Sequence, residues 1–152
     1  MSDVGSAALL GGEELEKEYR SGPEVVRVLR GASVTIAPGE FVALLGASGV
    51  GKSTLLHLLG GLDRPTAGRV LFQGDDLATW PETGLARYRR RDVGFVFQFY
   101  NLLGDMSALE NAMIPALIER KPTREVRELA AAALTEVGLA DREIDRVLQF
   151  RP

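Results

Sequence analysis

The stretch Gly46-Ala47-Ser48-Gly49-Val50-Gly51-Lys52-Ser53-Thr54 constrains this chain more than any other. It fills every fixed position of the pattern G-x-x-x-x-G-K-[ST] with Gly46, Gly51, Lys52 and Ser53. At ordinary residue usage a chain of this length meets that pattern by chance roughly once in a hundred cases or fewer. The pattern has meaning only between a strand and a helix. Phe41-Val42-Ala43-Leu44-Leu45 ahead of it reads as a buried strand, and Leu55-Leu56-His57-Leu58-Leu59 behind it reads as the face of a helix. The expected fold is therefore α/β, built around a strand-loop-helix unit.

The residue types fit the chemistry of a phosphate tail, a chain of anionic oxygens. Glycines at 46, 49 and 51 let backbone N–H groups turn inward where side chains would stand in the way. A helix starting near Gly51 adds unpaired N–H groups and the positive end of its dipole. Lys52 supplies a mobile charge for the β and γ phosphates, and the Ser53 hydroxyl is of the kind that ligates Mg²⁺. The loop residues Gly46, Ala47, Ser48, Gly49, Val50, Gly51, Lys52, Ser53 and Thr54 are thus the candidate nucleotide-binding set.

Bulk properties narrow the class. A chain of 152 residues is one domain or a piece of one. A net charge of −3 and a pI near 5.3 argue against general nucleic-acid binding. With no cysteine, disulfides and thiolate metal sites are excluded. The apolar runs are far shorter than a membrane span, and Met1-Ser2-Asp3 lacks the basic start of a signal peptide. The expected location is the cytoplasm, with any membrane role exercised through a partner.

In chain order, residues 1–14 lack a usable period and read as a flexible start. Leu15 to Arg20 and Val25 to Arg30 read as short strands joined at Ser21-Gly22-Pro23, with a third strand at Val34 and Ile36, which together suggest an antiparallel β layer ahead of the phosphate loop. Gly60 to Gly68 turns the chain into a strand at Arg69 to Phe72. Leu77 to Arg91 reads as a broken helix and Val93 to Phe97 as a short strand. Ser107-Ala108-Leu109-Glu110 fits a capping box opening a helix to about Ile118. Pro122-Thr123 opens another, with Gly138 just past its end. Arg87, Arg89, Arg90 and Arg91 read as a solvated helix end, Trp80-Pro81 as a loop anchor, and Phe95, Phe97, Phe99 and Tyr100 as residues to be buried.

Four stretches together resemble the ATP-binding cassette family, the ATPase subunits of ABC transporters. They are Glu18 to Gly22, Leu29 to Gly31 running on through Pro38 to Phe41, the phosphate loop, and Val93-Gly94-Phe95-Val96-Phe97-Gln98. Gly60-Gly61-Leu62-Asp63-Arg64-Pro65-Thr66-Ala67-Gly68 and Tyr100-Asn101-Leu102-Leu103 look most like the branch serving lipoprotein release and macrolide export. The match runs from about residue 15 to about residue 142. The resemblance implies that Tyr19 is the aromatic on which adenine stacks, for which a flat π face is suited. It implies that Gln98 reaches Mg²⁺ and the attacking water, and that Phe99 to Leu103 belong to a surface docking a membrane subunit. It also implies ATP and Mg²⁺ as cofactors. The implied partners are a membrane permease subunit and a second ATP-binding subunit, with the chain peripheral on the inner face of the plasma membrane.

Three further stretches needed for hydrolysis in that family do not occur here. They are a Leu-Ser-Gly-Gly-Gln-like signature, four apolar residues ending in Asp-Glu, and a histidine sensing the γ phosphate. Asp63, Asp92, Asp105, Asp141 and Asp145 all lack the preceding apolar run, and His57 lies inside the loop helix. The expectation is a partial cassette domain over 15–152, with the C-terminal part of the core missing and Phe41 to Leu45 left with exposed apolar surface. Turnover by such a chain alone is doubtful, so two readings stand side by side. One is an ATP-binding subunit coupling hydrolysis to export or lipoprotein release. The other is a truncated, hydrolysis-incompetent nucleotide- or partner-binding fragment. Another phosphate-loop enzyme, a GTPase or small-molecule kinase, is a third reading, though the Asn-Lys-x-Asp and Asp-x-x-Gly stretches of GTPases are not found.

Overall fold

The structure is a computed structural model and describes residues 8–97 and 101–145. Two compact units divide the chain, 1–94 and 95–152. In the first, a four-stranded antiparallel sheet runs in the order β2-β1-β3-β4, from β1 (Leu10–Ser21), β2 (Glu24–Ile36), β3 (Ala67–Phe72) and β4 (Asp75–Asp76). The β-branched run of β2 suits a pleated, half-buried surface. Gly22 takes φ 60° in the two-residue turn that returns β2 onto β1, with Tyr19 opposite Val26 and Leu10 opposite Ile36. The three short strands expected before the loop are thus two long ones, the segment at Val34 and Ile36 being the end of β2. β1 begins at Leu10, within the stretch read as a flexible start.

A register shift in β1 between Glu13 and Glu16 lets β3 approach closely. Gly68 sits against it with φ 85°, and a Cβ there would fall on the carbonyl oxygens of Glu13 and Glu14. Only glycine fits both the dihedral and the space.

The helix α1 (Lys52–Leu59) follows the phosphate loop as expected and buries Leu55, Leu58 and Leu59. They join Leu15, Leu29, Val70, Leu77, Leu85 and Tyr88 in one core. The broken helix read at Leu77 to Arg91 is a 3-10 turn at Leu77–Thr79 followed by α2 (Glu82–Arg91), interrupted at Trp80-Pro81. Trp80 meets Phe72 and Tyr88 edge-on, at centroid distances of 6.5 and 6.0 Å, which is the anchoring expected of it. The Tyr88 hydroxyl donates to the Leu59 carbonyl at 2.8 Å, satisfying an acceptor at the end of α1. Of the arginine run, Arg87, Arg90 and Arg91 are exposed, while Arg89 donates to the Gly61 carbonyl at 2.8 Å and pairs with Glu82.

Two expected strands are not formed. Phe41 to Leu45 makes no ladder, and Phe41 and Leu45 are 94% and 91% exposed. Val93 to Phe97 makes none either, and Val96 and Phe97 are exposed. Both runs have strand composition, but a strand exists only through a neighbour's N–H and C=O groups. Among the described residues no strand pairs with either. The apolar exposure expected for Phe41 to Leu45 is present, relieved only at Leu44, which packs against the core.

The second unit centres on α3 (Ala108–Ile118) and α4 (Thr123–Glu136). Leu109 and Met113 of α3 pack with Val126, Ala130 and Leu134 of α4. The capping box is made on both sides, Glu110 N–H to Ser107 Oγ at 3.1 Å and Ser107 N–H to Glu110 Oε2 at 2.8 Å. Gly138 takes φ 75° just past α4, as expected of a helix terminator. Phe95 and Phe97 stack on each other at 5.4 Å, which leaves Phe97 exposed rather than buried as expected. Leu102 and Leu103 are exposed, while Phe99 and Tyr100 lie outside the described residues.

Candidate functional site

The phosphate loop is set by three glycines with positive φ: 154° at Gly46, 80° at Gly49 and 101° at Gly51. Gly51 is the most constrained. A Cβ there would stand 2.9 Å from Leu29 Cδ2 and 3.0 Å from the Val28 carbonyl oxygen, so the loop is pressed against β2 where a side chain would not fit. Gly51 is also the N-cap of α1 and has no side chain with which to cap it. No acidic residue stands in the first turn. A helix start without a side-chain cap keeps its positive end for an external anion.

Lys52 bends back over the loop. Its ammonium donates to the carbonyls of Gly46 and Ala47 at 2.8 and 2.7 Å. The charge is therefore held directly over the loop that the sequence assigns to phosphate. Ser53 is exposed at the first turn and Thr54 half-buried beside it. Ala47, Ser48, Gly49 and Val50 are exposed along the loop. His57 is half-buried within α1, with its carbonyl accepting from Leu62 and Asp63, as suits a helix residue.

Tyr19 stands on β1 beside α1, between the Thr54 side chain and Asp63, which follows the helix. Its hydroxyl donates to Asp63 Oδ2 at 2.9 Å, and Lys17 Nζ lies 4.9 Å from the ring centroid. Desolvation first, and then the bond to Asp63, push the phenol above its ordinary value of 10.0, against the opposing effects of the Thr54 hydroxyl and the Lys17 charge. Lys17 also donates to Asp63 Oδ1 and to the Arg64 carbonyl, both at 2.7 Å. Desolvation of the Asp63 carboxyl pulls it upward, but hydrogen bonds from Lys17, the Arg64 backbone and Tyr19 outweigh this and hold it below its ordinary value.

Tyr19, Lys52, Ser53 and Thr54 thus fall in one unit with the loop, whereas Gln98 lies outside the described residues. Lys17 and Asp63 were not singled out from sequence. Lys17 is two residues before Tyr19, on the same side of a strand, a period that points to it once Tyr19 is of interest. Asp63 carried no local signal beyond a turn. Among the described residues no group of three His, Cys, Asp or Glu is placed to hold a metal, and no helix is long and apolar enough to cross a membrane.

The donors present fit a polyphosphate: an uncapped helix start, a cradle that a Cβ would fill, and a lysine held over it. Comparison with known proteins gives the family. The ABC transporter family profile matches residues 29–150. The lipoprotein-releasing system ATP-binding protein LolD of Syntrophus aciditrophicus is 50% identical over 128 residues, 84% of this chain and 57% of that protein. The macrolide export ATP-binding/permease protein MacB of Azoarcus sp. is 47% identical over 136 residues, 90% of this chain and 21% of that protein. A dimeric ATP-binding cassette solved in a post-hydrolysis state with ADP and Pi superposes with a TM-score of 0.83 at 32% identity, covering 94% of this chain and 63% of that one. The chain spans 57% to 63% of the length of the LolD relatives reported for Syntrophus aciditrophicus and Idiomarina loihiensis.

Proposed function

This chain belongs to the ABC transporter family, and from that premise we propose that it serves as the ATP-binding subunit of a lipoprotein-release or macrolide-export type system. The observation that carries the reading is Lys52 held over Gly46 and Ala47 at the uncapped start of α1. The loop amides and Lys52 would hold the β and γ phosphates, and the Ser53 hydroxyl would be a ligand to Mg²⁺. Tyr19 would offer its ring to the adenine, and Gln98 would orient the attacking water and hold the metal. ATP supplies the phosphoryl group whose transfer to water drives the cycle. Because Lys52 carries a charge that can follow the phosphates, it is also the group best placed to stabilise charge developing there.

The partners in this reading are a membrane permease subunit and a second ATP-binding subunit, the chain lying at the cytoplasmic face through the permease. The 48% to 55% exposure of Leu102 and Leu103 supports a docking role for the segment ending there. Export or extraction is then coupled to closure of two such subunits on their nucleotides.

Lys52→Ala tests the site. A ligand at a hundred times its dissociation constant stabilises by about 2.7 kcal/mol, and the variant is expected to lose most of that MgATP-induced shift in Tm. Equal thermal shifts for variant and parent would overturn the assignment. Turnover measured beside affinity separates a hydrolysing subunit from one that only binds.

A further inference from the structure

The segment after α1 is stitched to β1 on both sides of Lys17, just before Tyr19. Thr66 N–H donates to the Glu16 carbonyl at 2.8 Å, and Glu18 N–H donates to Thr66 Oγ1 at 3.0 Å. Between these two bonds Lys17 reaches Asp63 and the Arg64 carbonyl, each at 2.7 Å, and one residue past them Tyr19 reaches Asp63 at 2.9 Å. Asp63 itself is tied back to the helix, its N–H donating to the His57 carbonyl at 3.3 Å. The carboxylate is thus a joint between the phosphate-loop helix and the aromatic strand.

The joint fixes more than position. The Lys17 side chain is only 12% exposed, and its ammonium covers one side of the Tyr19 ring. The hydroxyl tip is held by Asp63, which restricts tilting of the ring, and the Lys17 ammonium over one face opposes rotation about its axis. Tyr19 nevertheless stays 41% exposed. What is left open is a single, oriented aromatic surface. A ring already held in its binding pose loses little conformational freedom when a flat ligand stacks on it.

We propose that Asp63 and Lys17 are positioning residues for the base, holding the Tyr19 ring so that a nucleobase stacks on its free surface while the phosphates reach the loop. The proposal rests on the reading of the phosphate loop given above and adds to it how the two ends of the nucleotide are kept in register. Neither residue touches the ligand. Their effect is confined to the base, which separates it from a general effect on the fold.

Inorganic tripolyphosphate and ATP, each with Mg²⁺, make that separation measurable by calorimetry on the full chain. Tripolyphosphate uses only the loop. Tyr19→Phe keeps the ring and removes its tether, and Asp63→Asn keeps the shape and removes the charge that holds Lys17. Each is expected to weaken ATP about threefold to tenfold, the range of one hydrogen bond, with tripolyphosphate unchanged. Combining the two should weaken ATP less than the product of the single effects, because both cut one link. ATP affinity unchanged in both variants would overturn the proposal, as would equal losses for ATP and tripolyphosphate. If the parent binds tripolyphosphate as tightly as ATP, the base contributes nothing and the proposal fails while the phosphate site stands. If it binds neither, the phosphate site fails as well.

Discussion

The antiparallel sheet and the run from Phe41 to Leu45 have similar strand-forming composition, yet only the first is built. β1 finds β2 two residues past its own end and β3 beyond the loop helix, and ladders form on both its edges. Phe41 to Leu45 has Val, Leu and Phe enough for a core strand and stands almost wholly in solvent at Phe41 and Leu45. Composition decides which face a strand would bury. Whether it forms is decided by what lies beside it. The phosphate loop that this run leads into is nonetheless shaped, because its geometry comes from glycine dihedrals, one lysine and contact with β2, all nearby.

The sharpest way to break this contrast is a pair of truncations. Leu58→Ala, in a side chain 1% exposed, should lower stability by about 2–5 kcal/mol in urea unfolding. Leu45→Ala, in the open run, should change it by less than about 0.5 kcal/mol. A comparable loss at Leu45 would mean that the run is packed in solution, and sedimentation at rising concentration would show whether a second copy covers it.

Next in size is Tyr88→Phe. Removing the hydroxyl leaves the Leu59 carbonyl without its buried donor, at a cost of about 1–3 kcal/mol. Burial, with Asp92 adding to it, pushes the Tyr88 phenol from 10.0 up to about 12. Folding therefore favours the neutral phenol. Its contribution is fully present below pH 10.0 and is lost as pH rises toward about 12, so Tyr88→Phe should flatten the alkaline limb of a pH-stability profile.

Ser107→Ala should cost about 1 kcal/mol by opening the capping box of α3, read by thermal melting of the full chain. An effect near zero would mean that α3 stands on its packing against α4 and not on its own cap. The smallest expected effect is at Asp63, whose carboxyl is held below its ordinary value of 3.8. Its contribution is present above that pH and lost as pH falls through the lowered value, so Asp63→Asn should be slightly less stable at neutral pH and flatten the acid limb, the two proteins converging in acid.

The same division governs how much could be read from the sequence. Ser107 and Glu110, Gly138, the break at Trp80-Pro81 and the glycines of the phosphate loop each act within a few residues, and all stand where they were expected. The antiparallel layer was legible because its hairpin turn lies at Gly22-Pro23 and its strands alternate around it. The two unformed strands are not legible from composition, because a parallel ladder depends on a partner distant in sequence. Lys52 and Tyr19 were found through a motif and a resemblance. Lys17 and Asp63 were missed because they are 46 residues apart and meet only through the turn after α1.

The bent lysine has a consequence for how ligands enter. Its ammonium is already solvated by the loop's own carbonyls, so a polyanion arriving there does not meet a bare cation. It displaces two oxygens with its own, and only the difference between carbonyl and phosphate as acceptors drives the swap. At the proposed phosphate site, entry would be an exchange of counter-groups. A neutral diluent should barely disturb it, whereas added salt competes directly for the vacated ammonium.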